Sequence, residues 1–350
     1  MMKSLQKTVL SALSFLLLLS GCASTQTASA AAAASASASP SASASASAAA
    51  QNGPMSGRNG GSMSTDKSAD TELQALISET VSEFTQGSYT DTETGLSVPY
   101  DIYVPADYDA SKTYPMVVFI GDATTVGTDM QYPLTQGWGG LIWASSEVQS
   151  SQECIVLVPF YPSTVIDDNG TATISDYLYL TPRMIADVAG QYSVDTSRIY
   201  GTGQSMGAMT TLYLAANNPD LYAAVLIVDG QWDVSALKGL ETQNVIYLAA
   251  GGDQKASQGQ ANVKDMLTAD SVAYSELTDV DAQADREELN AQVEAMLAEG
   301  SNINFMTWTA GSVLEGVSAG MTSEHMASFD YAYKLSAIRS WLFSKTAQQQ

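Results

Sequence analysis

The stretch RIYGTGQSMGAMTTLYLAANN, residues 198–218, decides how this chain is read. Its first part is an apolar, β-branched lead-in, and its last part is rich in helix formers. Between them, Gly203-x-Ser205-x-Gly207 matches a nucleophile elbow, a strained strand-to-helix turn that lifts a serine into the open while small flanking residues avoid a clash. In a chain with 26 Gly the string alone carries little, but a strand leading in and a helix leading out give it weight.

A serine hydroxyl becomes a useful nucleophile only when a base takes its proton, and the usual base is a histidine oriented by a carboxylate. The chain contains one histidine, His325, within GMTSEHMASFDYAYKLSAIRSWLF, residues 320–343. It follows the last apolar run and opens a C-terminal helical segment. The favoured carboxylate is Asp253, which closes the run NVIYLAAGGD (244–253) between the serine and histidine elements. Asp229 and Asp233, in IVDGQWD (227–233), compete for the role, with turn formation as their plainer reading. The order Ser205, Asp253, His325 is that of an α/β-hydrolase and differs from the orders in the two other common serine protease folds.

The surrounding pattern agrees. PMVVFIGD (115–122), CIVLVPFYP (154–162), AAVLIVDGQ (223–231) and INFMTWTAG (303–311) are short, nearly continuous apolar runs that suit strands buried on both faces. Helical segments at about 139–152, 176–193, 205–217, 260–268, 281–299 and 327–346 separate or follow them, which predicts a mostly parallel sheet covered by helices on both faces. Before these, SYTDTETGLSVPYDIYVP (88–105) reads as an antiparallel hairpin around Glu93-Thr94-Gly95. Leu73, Leu76, Ile77, Thr80, Val81 and Phe84 share one face of a helix over 70–87. The predicted class is α/β with the α/β-hydrolase fold, its catalytic domain spanning 88–346.

The segment VDTSRIYGTGQSMGAMTTLYLAANNPDLYAAVLIVDGQWD (194–233) resembles secreted esterases of the polyhydroxyalkanoate-depolymerase and feruloyl-esterase-like group, which are related to prolyl-oligopeptidase-type hydrolases. SVPYDIYVPADYDASKTYPMVVFIGD (97–122) is similar to that group's first strands. The resemblance implies an oxyanion hole built from the amide of Met206 and one on the loop after the first parallel strand. There the group carries His-Gly, whereas this chain has Ile120-Gly121-Asp122-Ala123, which leaves Asp122 or Ala123 as the donor. An Asp122 carboxylate must then be turned from the developing negative charge. Loops after other strands offer Trp138, Tyr161, Trp232 and Gln204 for the substrate pocket, each with core packing or loop support as the alternative. Asp167-Asp168-Asn169-Gly170 reads as a turn rather than a Ca²⁺ loop, since no bidentate Glu stands at the needed spacing.

Composition narrows the function classes. With 37 Asp and Glu against 14 Lys and Arg, a net charge of −23 argues against nucleic acid as a partner. Two Cys and one His are too few for a Cys/His zinc centre or a disulfide framework, so no metal and no cofactor is expected. Residues 1–65 hold Lys3, Lys7 and Arg58 and no acid, which leaves −26 on the remainder. Lys3 and Lys7 precede the apolar run VLSALSFLLLLSG (9–21), and Leu19-Ser20-Gly21-Cys22 looks like a bacterial lipobox. Residues 1–21 then form a lipoprotein signal peptide, and Cys22 is the lipidated mature N-terminus on the outer face of the cell membrane. The Ala/Ser/Gly-rich stretch 22–69 reads as a disordered tether.

The combined expectation is a monomeric, lipid-anchored extracellular serine hydrolase acting on small or polysaccharide-linked carboxylic esters. A prolyl-oligopeptidase-like peptidase and a surface binding protein that keeps the fold are the alternatives.

Overall fold

The computed structural model describes residues 67–317 and 323–347. The signal segment, Cys22 and nearly all of the Ala/Ser/Gly-rich stretch lie outside the described residues. Eleven strands occur among the described residues: β1 Thr85–Thr90, β2 Ser97–Tyr103, β3 Tyr114–Ile120, β4 Ile155–Pro159, β5 Ile166–Asp167, β6 Thr173–Ile174, β7 Val194–Gln204, β8 Ala224–Val228, β9 Val245–Ala250, β10 Ser275–Val280 and β11 Ile303–Trp308. Nine of them form one sheet in the order β1-β2-β4-β3-β7-β8-β9-β11-β10, and β5 and β6 pair separately. Pairings β1/β2 and β2/β4 are antiparallel, and every later neighbour is parallel. This is the α/β-hydrolase fold.

The hairpin closes with Thr90 opposite Ser97. Gly95 takes a positive φ of 72° in the turn, and Asp91 accepts from the Thr94 amide at 2.9 Å. Such an Asx-type turn needs the residues the sequence supplies there.

The central strands are buried along their whole length because helices cover both faces. Side chains alternate between the faces, as strand geometry requires. Val117, Phe119, Leu226 and Leu248 face the N-terminal helix Thr71–Thr80, the 3₁₀ turn Ile142–Ala144 and the C-terminal helices through Leu73, Trp143, Phe329 and Tyr333. Met116, Val118, Ile227 and Tyr247 face Leu178, Ile185, Leu212 and Val263 on the helices Asp176–Gln191, Met206–Asn217 and Gln254–Ala269.

Three sequence expectations change in detail. The helix expected at 139–152 is broken into Trp138–Leu141, a 3₁₀ turn Ile142–Ala144 and Ser146–Ser151. Gly139 lies so tightly on Phe119 that a Cβ there would be 2.7 Å from its Cζ. The segment expected as one helix over 327–346 is Glu324–Ala327, Phe329–Tyr333 and Ser336–Phe343. Strand β10 has no counterpart in the sequence reading, because SELTDV is an edge strand with only its two ends buried and so lacks an apolar run.

Candidate active site

Ser205 follows the last residue of β7 and precedes the helix Met206–Asn217, with φ 51° and ψ −117°. A non-glycine residue in this region costs on the order of 1–3 kcal/mol, so the surrounding packing must hold it. The two motif glycines provide that packing. A Cβ at Gly203 would fall 2.5 Å from the Gly207 carbonyl carbon and 2.7 Å from the Ile120 oxygen, and one at Gly207 would overlap the Ile120 carbonyl. The elbow is thus pressed main chain to main chain against the end of β3, and the amide of Ser205 donates to Val228 at 3.1 Å.

The His325 ring stands between the serine and a carboxylate. Its Nε2 lies 2.8 Å from Ser205 Oγ and its Nδ1 2.5 Å from Asp253 Oδ2. Asp253 also caps the helix Gln254–Ala269, its Oδ1 accepting from the amides of Lys255 at 3.1 Å and Ala256 at 3.2 Å. Burial alone pushes the Asp253 carboxyl up, but the bond to His325, the imidazole charge and the two amides outweigh it and hold it below the ordinary value. For His325, burial pushes the imidazole down. The Asp253 bond and the nearby charges of Asp229, Asp253 and Asp122 outweigh that and raise it above the ordinary histidine value. Phe329 meets the ring edge-on, 5.1 Å between centroids.

Asp229 and Asp233 take other positions. Asp233 caps a 3₁₀ turn through the Ser235 amide at 3.0 Å. Asp229, fully buried with φ 48°, joins two neighbouring segments. Its Oδ1 accepts from the Ala250 amide at 2.7 Å, and its Oδ2 accepts from the Ser328 hydroxyl, which also lies 3.1 Å from the His325 carbonyl. Burial pushes the Asp229 carboxyl up to about 7 against the opposing pull of His325, Ser328 and Ala250. Glu324 makes a comparable link, accepting from the amides of Gly252 and Gly311 at 2.9 Å each. Sequence reasoning missed Glu324 and Ser328 as site supports. Their partners are main-chain or distant groups, so only adjacency to His325 marked them.

The amides of Met206 and Ala123 open a helix and a 3₁₀ turn, where first-turn N–H groups have no intrahelical acceptor. The Asp122 carboxylate is engaged on both oxygens. Oδ1 accepts from the Thr124 amide at 2.7 Å and hydroxyl at 2.5 Å, and Oδ2 accepts from Gln204 Nε2 at 3.0 Å. Gln204 therefore supports the loop after β3.

The three aromatic residues suggested for the substrate pocket are buried and make packing contacts. Trp138 is buried beneath the Lys334 ammonium, 4.8 Å from its ring centroid. Tyr161 is buried with its hydroxyl 2.7 Å from Thr181 Oγ1, and Trp232 is buried edge-on to Tyr213. The Asp167 carboxylate accepts from the Asn169 amide at 2.9 Å in a turn with Gly170 at φ 93°. Among the described residues no cluster of three or more His, Cys, Asp or Glu is arranged to hold a metal ion.

Comparison with known proteins gives partial matches. The family model described as the prolyl oligopeptidase family matches residues 161–299. A relative named "Probable acetylxylan esterase A" from Neosartorya fischeri is 43% identical over 47 residues, 13% of each chain. A solved structure titled as a thermostable esterase superposes with TM-score 0.59 at 21% identity, covering 76% of this chain and 64% of that one. The feruloyl esterase module from Clostridium thermocellum, solved with sinapinate, gives TM-score 0.46 at 13% identity over 76% of this chain and 90% of its own. This chain thus spans about an eighth of the acetylxylan esterase relative and under two thirds of the thermostable esterase.

Proposed function

We propose that this protein is a serine hydrolase of carboxylic esters, with Ser205 as nucleophile, His325 as general base and Asp253 as the acid that orients the imidazole. The observation that carries the reading is the arrangement of Ser205 Oγ and Asp253 Oδ2 on the two nitrogens of one imidazole, at a positive-φ turn. Ser205 Oγ bonds to the acyl carbon as its proton passes to Nε2, and the carbonyl oxygen becomes an oxyanion facing the amides of Met206 and of Ala123 or Asp122. Collapse breaks the ester C–O bond, and the leaving alkoxide takes the proton from His325. Water, deprotonated by the same Nε2, then releases the acid and returns the proton to Ser205.

The esterase names among the relatives support the choice of ester, and the charge of −26 after residue 65 favours neutral substrates over anionic polymers. In this reading residues 88–346 are the catalytic domain, and acylated Cys22 anchors it to the outer face of the membrane through the Ala/Ser/Gly-rich tether. The test is labelling by a fluorophosphonate, expected to be stoichiometric and lost in Ser205→Ala, combined with a panel of chromogenic esters. The match to the prolyl oligopeptidase family over 161–299 favours amide cleavage as a second reading, so a prolyl peptide amide belongs in the panel. A folded protein that takes up no label is a binding module instead. Detergent-phase partition of the full chain, lost in Cys22→Ala, tests the anchor.

A further inference from the structure

A second buried carboxylate is tied to the histidine segment. Asp229 directly follows β8 and is fully buried, with a φ of 48° that a non-glycine residue adopts only under constraint. Its Oδ1 accepts at 2.7 Å from the amide of Ala250, the last residue of the strand that leads to Asp253. Its Oδ2 accepts from the Ser328 hydroxyl, whose oxygen lies 3.1 Å from the main-chain carbonyl of His325. One carboxylate thus joins the strand before the proposed triad acid to the residue three places after the proposed base.

The hydroxyl at the junction has one proton and two acceptors for it, Asp229 Oδ2 and the His325 carbonyl. An ionised Asp229 takes that proton. A protonated Asp229 donates to Ser328 instead, which leaves the hydroxyl proton for the His325 carbonyl. The Asp229 charge also reaches the ring, and as a charge alone it raises the imidazole more than Asp253 or Asp122 does. Asp253, Tyr247 on β9 and Tyr333 on the helix Phe329–Tyr333 also face Asp229. Asp253 is held ionised by His325 and two amides, and burial keeps both tyrosines neutral. Within this group Asp229 and His325 are the members that change charge near neutral pH.

We propose that Asp229 is a positioning residue for His325, which through Ser328 and through its own charge favours the imidazolium that forms when Ser205 attacks. The inference rests on the serine-hydrolase reading and adds a regulator of the same site. The serine proton still passes to Nε2 and on to the leaving alkoxide, and Asp229 receives none of it. As pH drops through about 7 Asp229 is protonated, and the imidazolium loses that support.

His325 is the single histidine of the sequence, so its ring signals are read without ambiguity. The experiment titrates that ring by NMR in the full, untagged chain carrying ¹⁵N-histidine, in wild type, Asp229→Asn and Ser328→Ala. It measures kcat and KM on 4-nitrophenyl acetate beside the titration. Asp229→Asn mimics the protonated form, its carbonyl oxygen accepting from Ala250 and its NH₂ donating to Ser328. Its ring midpoint is expected about one pH unit below wild type, the low end of what a nearby opposite charge supplies. The matching loss in kcat is about tenfold, with KM unchanged. Ser328→Ala removes the bridge, and Asp229 without its hydroxyl donor holds its charge less readily. Its ring midpoint is expected to move the same way, with kcat lower by roughly three- to tenfold, the worth of one hydrogen bond. A merely structural link would change stability and leave the ring midpoint in place. A midpoint equal to wild type in either folded variant overturns the proposal. If wild type turns over no ester and takes no fluorophosphonate, the hydrolase reading itself has failed, while the ring midpoints still decide the link between Asp229 and His325.

Discussion

Asp253 is asked to do two separable things, and substitution separates them. Its Oδ2 holds His325 Nδ1 and its Oδ1 caps a helix at Lys255 and Ala256. In Asp253→Asn the side-chain oxygen stays with the two helix amides, because turning the amide would set an NH₂ against two donors. An N–H group then faces His325, so Nδ1 must present its lone pair and the ring proton moves to Nε2. The nitrogen facing Ser205 becomes a donor and cannot take the serine proton. Removing the orienting acid by this route costs about 10⁴ in kcat in a serine protease, and a loss of that order is expected here. The cap survives, so Tm should move little. Asp253→Ala should lose as much activity and also about 1 kcal/mol of stability, the usual worth of an N-cap. The assay is kcat/KM on 4-nitrophenyl acetate beside thermal unfolding of both variants. Residual activity in Asp253→Asn above about a tenth of wild type would refute the assignment, and so would equal destabilisation by the two substitutions.

The remaining predictions concern protonation and packing. The proposed mechanism needs neutral His325, whose pKa is raised, so the acid limb of kcat/KM should lie above the ordinary histidine value of about 6.5 and activity should fall as pH drops through it. A profile that stays flat down to pH 5 would exclude His325 as the base. Asp229 sits at about 7 when folded, so its protonated form stabilises the fold fully below its unfolded pKa of 3.8, and that contribution is lost as pH rises towards 7. Urea unfolding should therefore show Asp229→Asn gaining relative to wild type between pH 4 and 8. Gly207→Ala would set a methyl 2.5 Å from the Ile120 carbonyl carbon and 2.7 Å from the Gly121 oxygen. It should cost about 1–3 kcal/mol and, by displacing the elbow against the oxyanion loop, about 10²-fold in kcat. Wild-type kinetics in that variant would contradict the steric account.

Much of the site was legible because the turn chemistry is local. Gly203, Ser205 and Gly207 announce the elbow in five consecutive residues, and a single histidine leaves one candidate for the base. The strand runs were legible because strands buried on both faces must be apolar throughout. Strand β10 was not, since an edge strand exposes half its side chains, and neither were the breaks after Leu141 and Ala327, which depend on what Phe119 and Asp229 present from elsewhere in the chain. The packing of the aromatic residues was not legible for a related reason. Whether Trp138 or Tyr161 faces a ligand or a neighbour is settled by packing partners such as Lys334 and Thr181, which lie far along the sequence.

Apart from the bond between Asp253 and His325, the bonds that position the site share one property. Asp122, Asp229, Asp253 and Glu324 hold main-chain amides, a hydroxyl or a side-chain amide, and in none of these bonds is the donor a lysine or arginine. A body with −26 of charge after residue 65 has few cations to spend, and here it uses its carboxylates as clamps on neutral donors. Added salt screens charges over about 8 Å at physiological strength and weaker clamps of opposite charge would loosen with it. Bonds from carboxylates to neutral donors do not depend on that attraction. Raising ionic strength should therefore relieve the self-repulsion of the acidic body, while the turnover of a neutral ester stays nearly constant from dilute buffer to brine.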